Sequence, residues 1–122
     1  QSIGKFAFLN ASIECFSIPL NLVQLKKGWC NKTLNLFQIS IDPNNQNFSY
    51  INDSLFEIFD VILFARRDIK RADIPSYIKQ ISSYAFDGCK QLIDVNFQND
   101  SSLISIDKNS FSNSSIRTIV IP

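Results

Sequence analysis

The four prolines of this chain sit in phase with a recurring apolar spacing, and that recurrence constrains the fold more than any other feature. Three directly follow isoleucine, as Ile18-Pro19, Ile74-Pro75 and Ile121-Pro122, and Pro43 follows Ile41 by one extra residue. Upstream of each the same pattern appears: Ile13-x-x-Phe16-x-Ile18, Leu36-x-x-Ile39-x-Ile41, Ile69-x-x-Ala72-x-Ile74 and Ile116-x-x-Ile119-x-Ile121. Leu92-x-x-Val95-x-Phe97 is a fifth copy without the proline. The last three residues of each copy alternate apolar, other, apolar, which predicts a short strand with one buried face. Proline at the exit fits, because it has no N–H with which to continue a ladder.

A second recurrence lies between the strands. Ile81-Ser82-Ser83-Tyr84-Ala85-Phe86 is matched by Ile106 through Phe111 and by Ile3 through Phe8, with Leu25-Lys26-Lys27-Gly28-Trp29 as a shorter copy. Each predicts a bend and a short helical turn that plugs one aromatic into the core: Phe8, Trp29, Phe86 and Phe111. Their spacings fall near the period of roughly 20–29 residues of leucine-rich repeats. One stretch is oversized. Asp42-Pro43-Asn44-Asn45 is loop chemistry, Asn52-Asp53-Ser54 is a hairpin turn, and the run through Phe64 is rich in β-branched and aromatic residues. This predicts an expanded coil over 42–73 carrying a β-hairpin on one edge of the stack, packed against neighbouring coils. The reading is of one solenoid of about five coils over 1–122.

The unit from Ile74 to Leu92, with Ile-Pro, a spaced Ile, Ala85-Phe86, then Cys89 and Leu92, closely resembles the BspA-like, or Treponema pallidum-type, leucine-rich repeats. The expanded coil and Phe64-Ala65-Arg66-Arg67-Asp68-Ile69 resemble the trichomonad members most. The resemblance covers the chain and is strongest from Ile69 to Leu92. It implies the α/β leucine-rich-repeat class: a right-handed solenoid of short parallel strands with short helical turns and the strands on its concave side. It also implies a non-enzymatic protein of the cell surface, extracellular and linked to adhesion to host-cell, matrix or other surface proteins. The cysteine of the unit is Ser114 in the last copy and Ala11 in the first, so it serves packing rather than chemistry.

Composition supports a binding module over an enzyme. The chain of 122 residues has no histidine and no methionine, three glycines, and a net charge of +1. Without histidine a cysteine nucleophile lacks its usual base. No metal-ligand cluster, phosphate loop or paired-acid motif occurs, so no catalytic residue, metal or cofactor is assigned. The charge balance points away from nucleic acid. The longest apolar run, Val61 to Ala65, is far short of the ~20 residues a membrane-spanning helix needs. Cys15, Cys30 and Cys89 cannot all pair and are expected as small buried or half-buried residues. The lack of methionine reads as a processed or excised chain, and ends falling within the repeat predict end-to-end self-association.

Candidate functional residues are those pointing out of the strands. Stacking aligns them in two columns: Cys15, Gln38, Arg71, Asp94, Thr118, and Ser17, Ser40, Asp73, Asn96, Val120. Gln38, Ser40, Arg71, Asp73, Asn96, Asp94 and Thr118 are the expected concave binding face, although such a ladder is also what a merely solvated sheet presents. Arg66, Arg67, Lys70 and Arg71, diluted by Asp68 and Asp73, read as a solvated edge with local ion pairs. Six sequons, at Asn10, Asn31, Asn47, Asn52, Asn99 and Asn113, are candidate N-glycosylation sites, or ordinary Asn/Ser turn chemistry. A structural spacer and an intracellular protein-interaction scaffold are the competing functions. The unpaired cysteines favour the scaffold, and the sequons favour the surface.

Overall fold

Residues 2–3, 12–26, 28–57 and 60–119 are described by a computed structural model. Phe8, Asn10, Val120, Ile121 and Pro122 lie outside them. Among the described residues twelve short strands form: β1 (Ser2–Ile3), β2 (Cys15–Ile18), β3 (Gln24–Leu25), β4 (Gln38–Ile41), β5 (Phe48–Ile51), β6 (Ser54–Glu57), β7 (Val61–Ala65), β8 (Arg71–Ile74), β9 (Gln80–Ile81), β10 (Asp94–Phe97), β11 (Ser105–Ile106) and β12 (Thr118–Ile119). The repeat is a β-solenoid with two strands per coil. The strands expected from the sequence, β2, β4, β8, β10 and β12, make a front face. The apolar residue expected to open each bend (Leu25, Ile81, Ile106) instead belongs to a second strand position, β3, β9 and β11.

Neighbouring coils pair in parallel and in register. Cys15 faces Gln38 and Arg71 faces Asp94, steps of 23 residues, and Asp94 faces Thr118, a step of 24. Ile18, Ile39, Ala72, Ile74 and Val95 turn inward and are buried, while Cys15, Ser17, Gln38, Ser40, Arg71, Asp73 and Asn96 are exposed. The period-two alternation therefore sets which residues stack.

Among the described residues there is no helix, so the solenoid expected from the sequence is present without the short helical turns expected with it. The connections β3–β4, β9–β10 and β11–β12 are each a run of three hydrogen-bonded turns. Backbone N–H groups of Ala85, Asp87 and Cys89 donate to the carbonyls of Ser82, Tyr84 and Phe86. The same ladder runs through Ser110, Ser112 and Ser114, and through Trp29, Asn31 and Thr33. Residues with positive φ recur four apart: Gly28 and Lys32, Tyr84 and Gly88, Asn109 and Asn113. A left-handed residue at each fourth position cuts any α-helical run. The register also corrects the aromatic plug of the second coil. Gly28 aligns with Tyr84 and Asn109, so Trp29 holds the place of Ala85 and Ser110, and Cys30 holds that of Phe86 and Phe111. Phe86 and Phe111 stack at 4.8 Å, whereas Trp29 packs between Phe16 at 5.6 Å and Phe64 at 6.1 Å.

The coil containing β7 is altered in two opposite ways. Ile18 to Leu25 and Ile74 to Ile81 are each 7 residues, but Ile41 to the equivalent Ile62 is 21, an addition of 14. Leu25 to Gln38 and Ile81 to Asp94 are each 13 residues, but Ile62 to Arg71 is only 9, a loss of four. The addition is a hairpin, β5 against β6, turning on Asn52 and Asp53, both at positive φ as a tight two-residue turn requires. The hairpin is not confined to an edge of the stack. β6 pairs antiparallel with β7, which joins β9 and β11 in parallel, giving the order β11-β9-β7-β6-β5. Leu55, Leu63 and Phe64 face a cluster around Ile18, Leu36 and Trp29, while Phe56, Ile62 and Ala65 face a cluster around Ile78, Phe86 and Leu92. The insertion is thus a wall with core on both sides. Burying each large apolar side chain contributes about 1.5–3 kcal/mol, so the wall is as firmly held as the coils. Its position breaks the front face: β2-β4 and β12-β10-β8 are separate sheets.

Candidate binding face

The outward residues of the front strands come together as two ladders, but not as one continuous face. On the first sheet the Ser17 and Ser40 hydroxyls lie 3.0 Å apart, and the Cys15 thiol donates to Gln38 Oε1 at 3.6 Å. On the second, Arg71 lies 3.7 Å from the Asp94 carboxylate, and Asn96 Nδ2 donates to Asp73 Oδ1 at 3.1 Å. The columns thus satisfy one another coil to coil while staying exposed. Such exposed pairs contribute little stability. Thr118 pairs with Asp94 through the backbone register, and Val120 lies outside the described residues. Between the sheets, a recess of about 290 Å³ separates the hairpin tip from β8, lined by Ile51, Asn52, Asp53, Phe56, Arg71, Ala72, Asp73 and Tyr77 among others.

The basic cluster divides in a way the sequence did not show. Arg66 forms the expected edge ion pairs, with Asp53 at 3.1 Å and Asp68 at 2.5 Å, and its hydrogen bond to Asp68 raises its pKa. Arg67, read as solvated, is buried at 6% exposure. Its guanidinium donates to the carbonyls of Ala85 at 2.8 Å and Cys30 at 2.9 Å and to Thr33 Oγ1 at 3.2 Å, and lies 4.5 Å from the Phe64 ring centre. It fills the place of the deleted turn, bridging the turn that precedes β4 to the turn that precedes β10. Nothing in the local sequence distinguishes it from Arg66; only the shortened coil does. Asp87, fully buried in the turn that precedes β10, ties it to the turns on both sides: it accepts from the Lys32 N–H at 2.6 Å and from Asn113 Nδ2 at 3.1 Å. The shortening also leaves an open cleft of about 440 Å³ between Leu34-Asn35-Leu36-Phe37 and Gly88-Lys90-Gln91, with Arg67 in its wall.

The thiols separate likewise. Cys30 and Cys89 are fully buried, whereas Cys15 is exposed, contrary to expectation, because its strand position points outward; all three are free. Burial pushes the Cys89 thiol up to about 11 and raises that of Cys30 despite the nearby Arg67. Neither is an activated nucleophile. Among the described residues no group of three or more Cys, Asp and Glu is placed to hold a metal ion, and no helix is long and apolar enough to cross a membrane.

The sequons differ in access. Asn52 at the hairpin tip and Asn99 after β10 are exposed. Asn31 is 8% exposed, Asn47 is half-buried with its amide reaching the Leu22 carbonyl at 3.4 Å, and Asn113 is held by Asp87.

Comparison with known proteins follows the same lines. The family model described as BspA type leucine-rich repeat region (6 copies) matches residues 1–62 and 57–122. No curated protein matches the chain. Among solved structures, a leucine-rich repeat protein from Eubacterium ventriosum is similar with a TM-score of 0.81 and 24% identity over 91% of this chain and 30% of its own. A leucine rich cell surface protein from Faecalibacterium prausnitzii gives 0.84 and 19% over 98% and 32%. The pneumococcal vaccine antigen PcpA gives 0.80 and 18% over 90% and 28%. The chain therefore spans about a third or less of these proteins, and at such identities the likeness is one of fold.

Proposed function

Because this chain belongs to the BspA type leucine-rich repeat family, we propose that it is a non-enzymatic protein-binding module of a cell-surface protein, engaging a host-cell, matrix or other surface protein through the outward ladders of its front strands. The observation that carries this reading is the paired set Gln38, Ser40, Arg71, Asp73 and Asn96, all exposed, with half-exposed Asp94 beside Arg71 and Thr118 continuing the strand register. It offers mixed charge and hydrogen bonding on a rigid support, the arrangement extended solenoid surfaces use for partners. One structural neighbour is described as a cell surface protein and another as a vaccine antigen, which supports an exposed location. The three free thiols support the competing intracellular scaffold.

The test is capture of host-cell and matrix proteins by the chain and by its Arg71→Glu, Asp94→Arg double variant. Both side chains are exposed, so the fold should be unchanged by circular dichroism. Binding should weaken roughly tenfold, about 1.4 kcal/mol. Full affinity in the variant would remove the front face as the binding surface. Capture of nothing by either protein would favour a structural spacer.

A further inference from the structure

The break in the front sheet leaves two strand edges facing each other with the hairpin wall between them. β8 has one ladder partner, β10, and β4 has one, β2. The Ile93 N–H donates to the Lys70 carbonyl, which sets the parity of β8. Lys70, Ala72 and Ile74 turn their backbone groups toward β10, so Arg71 and Asp73 turn theirs toward the hairpin. Among the described residues no hydrogen bond joins that edge to the hairpin. A strand edge with unpaired N–H and C=O groups is a template for another strand. Here it opens into the recess of about 290 Å³, whose floor is apolar (Phe56, Ile62, Ile69, Ala72) and whose rim is polar (Asn52, Asp53, Arg71, Asp73), with Ile51 and Tyr77 both partly exposed at its sides.

We infer that the free edge of β8 is the docking site for an extended segment of a protein partner, which adds as the missing strand and sends one apolar side chain between Ile51 and Tyr77 toward Phe56. The inference rests on the front face being the binding face and names what that face takes. Main-chain hydrogen bonds to Arg71 and Asp73 supply affinity, and the alternation of apolar floor and polar rim selects a segment with one inward apolar residue between polar ones. The volume is at the small end for a ligand pocket and suits a short extended stretch rather than a folded surface.

The test uses the unglycosylated chain and a displayed library of random linear peptides, with hydrogen exchange as the structural readout. Enriched peptides should slow exchange at the Arg71 and Asp73 amides at least tenfold, and N-methylating one alternate set of peptide amides, the set that faces β8, should abolish binding. Asp73→Pro should abolish it too. That substitution removes an N–H the β8–β10 ladder does not use, and proline is tolerated at such an edge. The peptide arm stands even if this variant fails to fold. No enrichment, binding that survives N-methylation of each alternate set in turn, or bound peptides that leave both amides unprotected would each overturn strand addition. A folded partner that loses affinity to Arg71→Glu, Asp94→Arg but not to Asp73→Pro would overturn it while leaving the binding face in place. Indifference to all three substitutions would remove the face itself.

Discussion

Replacing Arg67 with methionine keeps most of the stem and removes the guanidinium that stands in for the deleted turn. Three short hydrogen bonds of 2.8–3.2 Å are lost, to Ala85, Cys30 and Thr33, with a longer one of 3.4 Å to the Ala65 carbonyl and the contact over Phe64. Bonds involving a charged group contribute about 1.5–3 kcal/mol each, so the gross loss is about 4–9 kcal/mol. Against this, a buried cation with no carboxylate partner carries a desolvation penalty of several kcal/mol, which the substitution relieves. The abandoned acceptors are not orphaned either: the Ala85 carbonyl keeps the Ala65 N–H, and the Cys30 carbonyl keeps the N–H and hydroxyl of Thr33. The expected net destabilisation of Arg67→Met is about 2–4 kcal/mol, roughly a 10 °C fall in Tm for a domain of this size. Urea and thermal unfolding measure it, with Arg66→Met as the control. The control loses only exposed ion pairs and should change by at most about 1 kcal/mol. Hydrogen exchange should show the loss as faster opening of the turn from Trp29 to Leu36. If Arg67→Met is no more destabilising than Arg66→Met, the guanidinium does not hold the two turns together and the account of the shortened coil fails.

Gly88→Ala should cost about 1–2 kcal/mol, since φ at this position is +70°; Gly88→Asn should cost less, because its Cβ displaces the same Leu34 methyl but asparagine tolerates the left-handed region. Equal stability of all three proteins would contradict the turn assignment. The Cys89 thiol, at about 11 in the folded chain against 9.0 unfolded, stabilises fully below pH 9 and ceases to as pH rises through 11, a loss of up to about 3 kcal/mol. Cys30 and Tyr50, the latter pushed up to about 12 chiefly by burial, act in the same direction. Urea midpoints should therefore fall across that alkaline window, and a thiol reagent at neutral pH should label Cys15 quickly and the other two only on unfolding. After passage through a eukaryotic secretory pathway, glycopeptide mass spectrometry should find glycans at Asn52 and Asn99 and none at Asn31; occupancy of Asn31 would mean that its turn opens before folding is complete.

Much was readable without coordinates. The Ile-Pro phase and the x-apolar-x-apolar alternation identified five front strands and, in β2, β4, β8 and β10, sorted residues into inward and outward sets. A strand has only two faces, and one of them must be buried. The tight turn at Asn52-Asp53 was equally legible, because few residue pairs accept positive φ at both positions. Other features depended on how distant segments meet. The connections look helical by length and apolar content. They resolve into turns because adjacent coils place backbone groups side by side, as where Phe86 N–H reaches the Ser110 carbonyl. Trp29 and Cys30 exchange expected places because register is counted from the left-handed Gly28, not from the aromatic ring. The fates of Arg66 and Arg67, and the split of the binding face by the hairpin wall, were decided only by the tertiary structure. Burial of a charge and interruption of a sheet are properties of what lies next door in space, and the chain's own order does not carry that information.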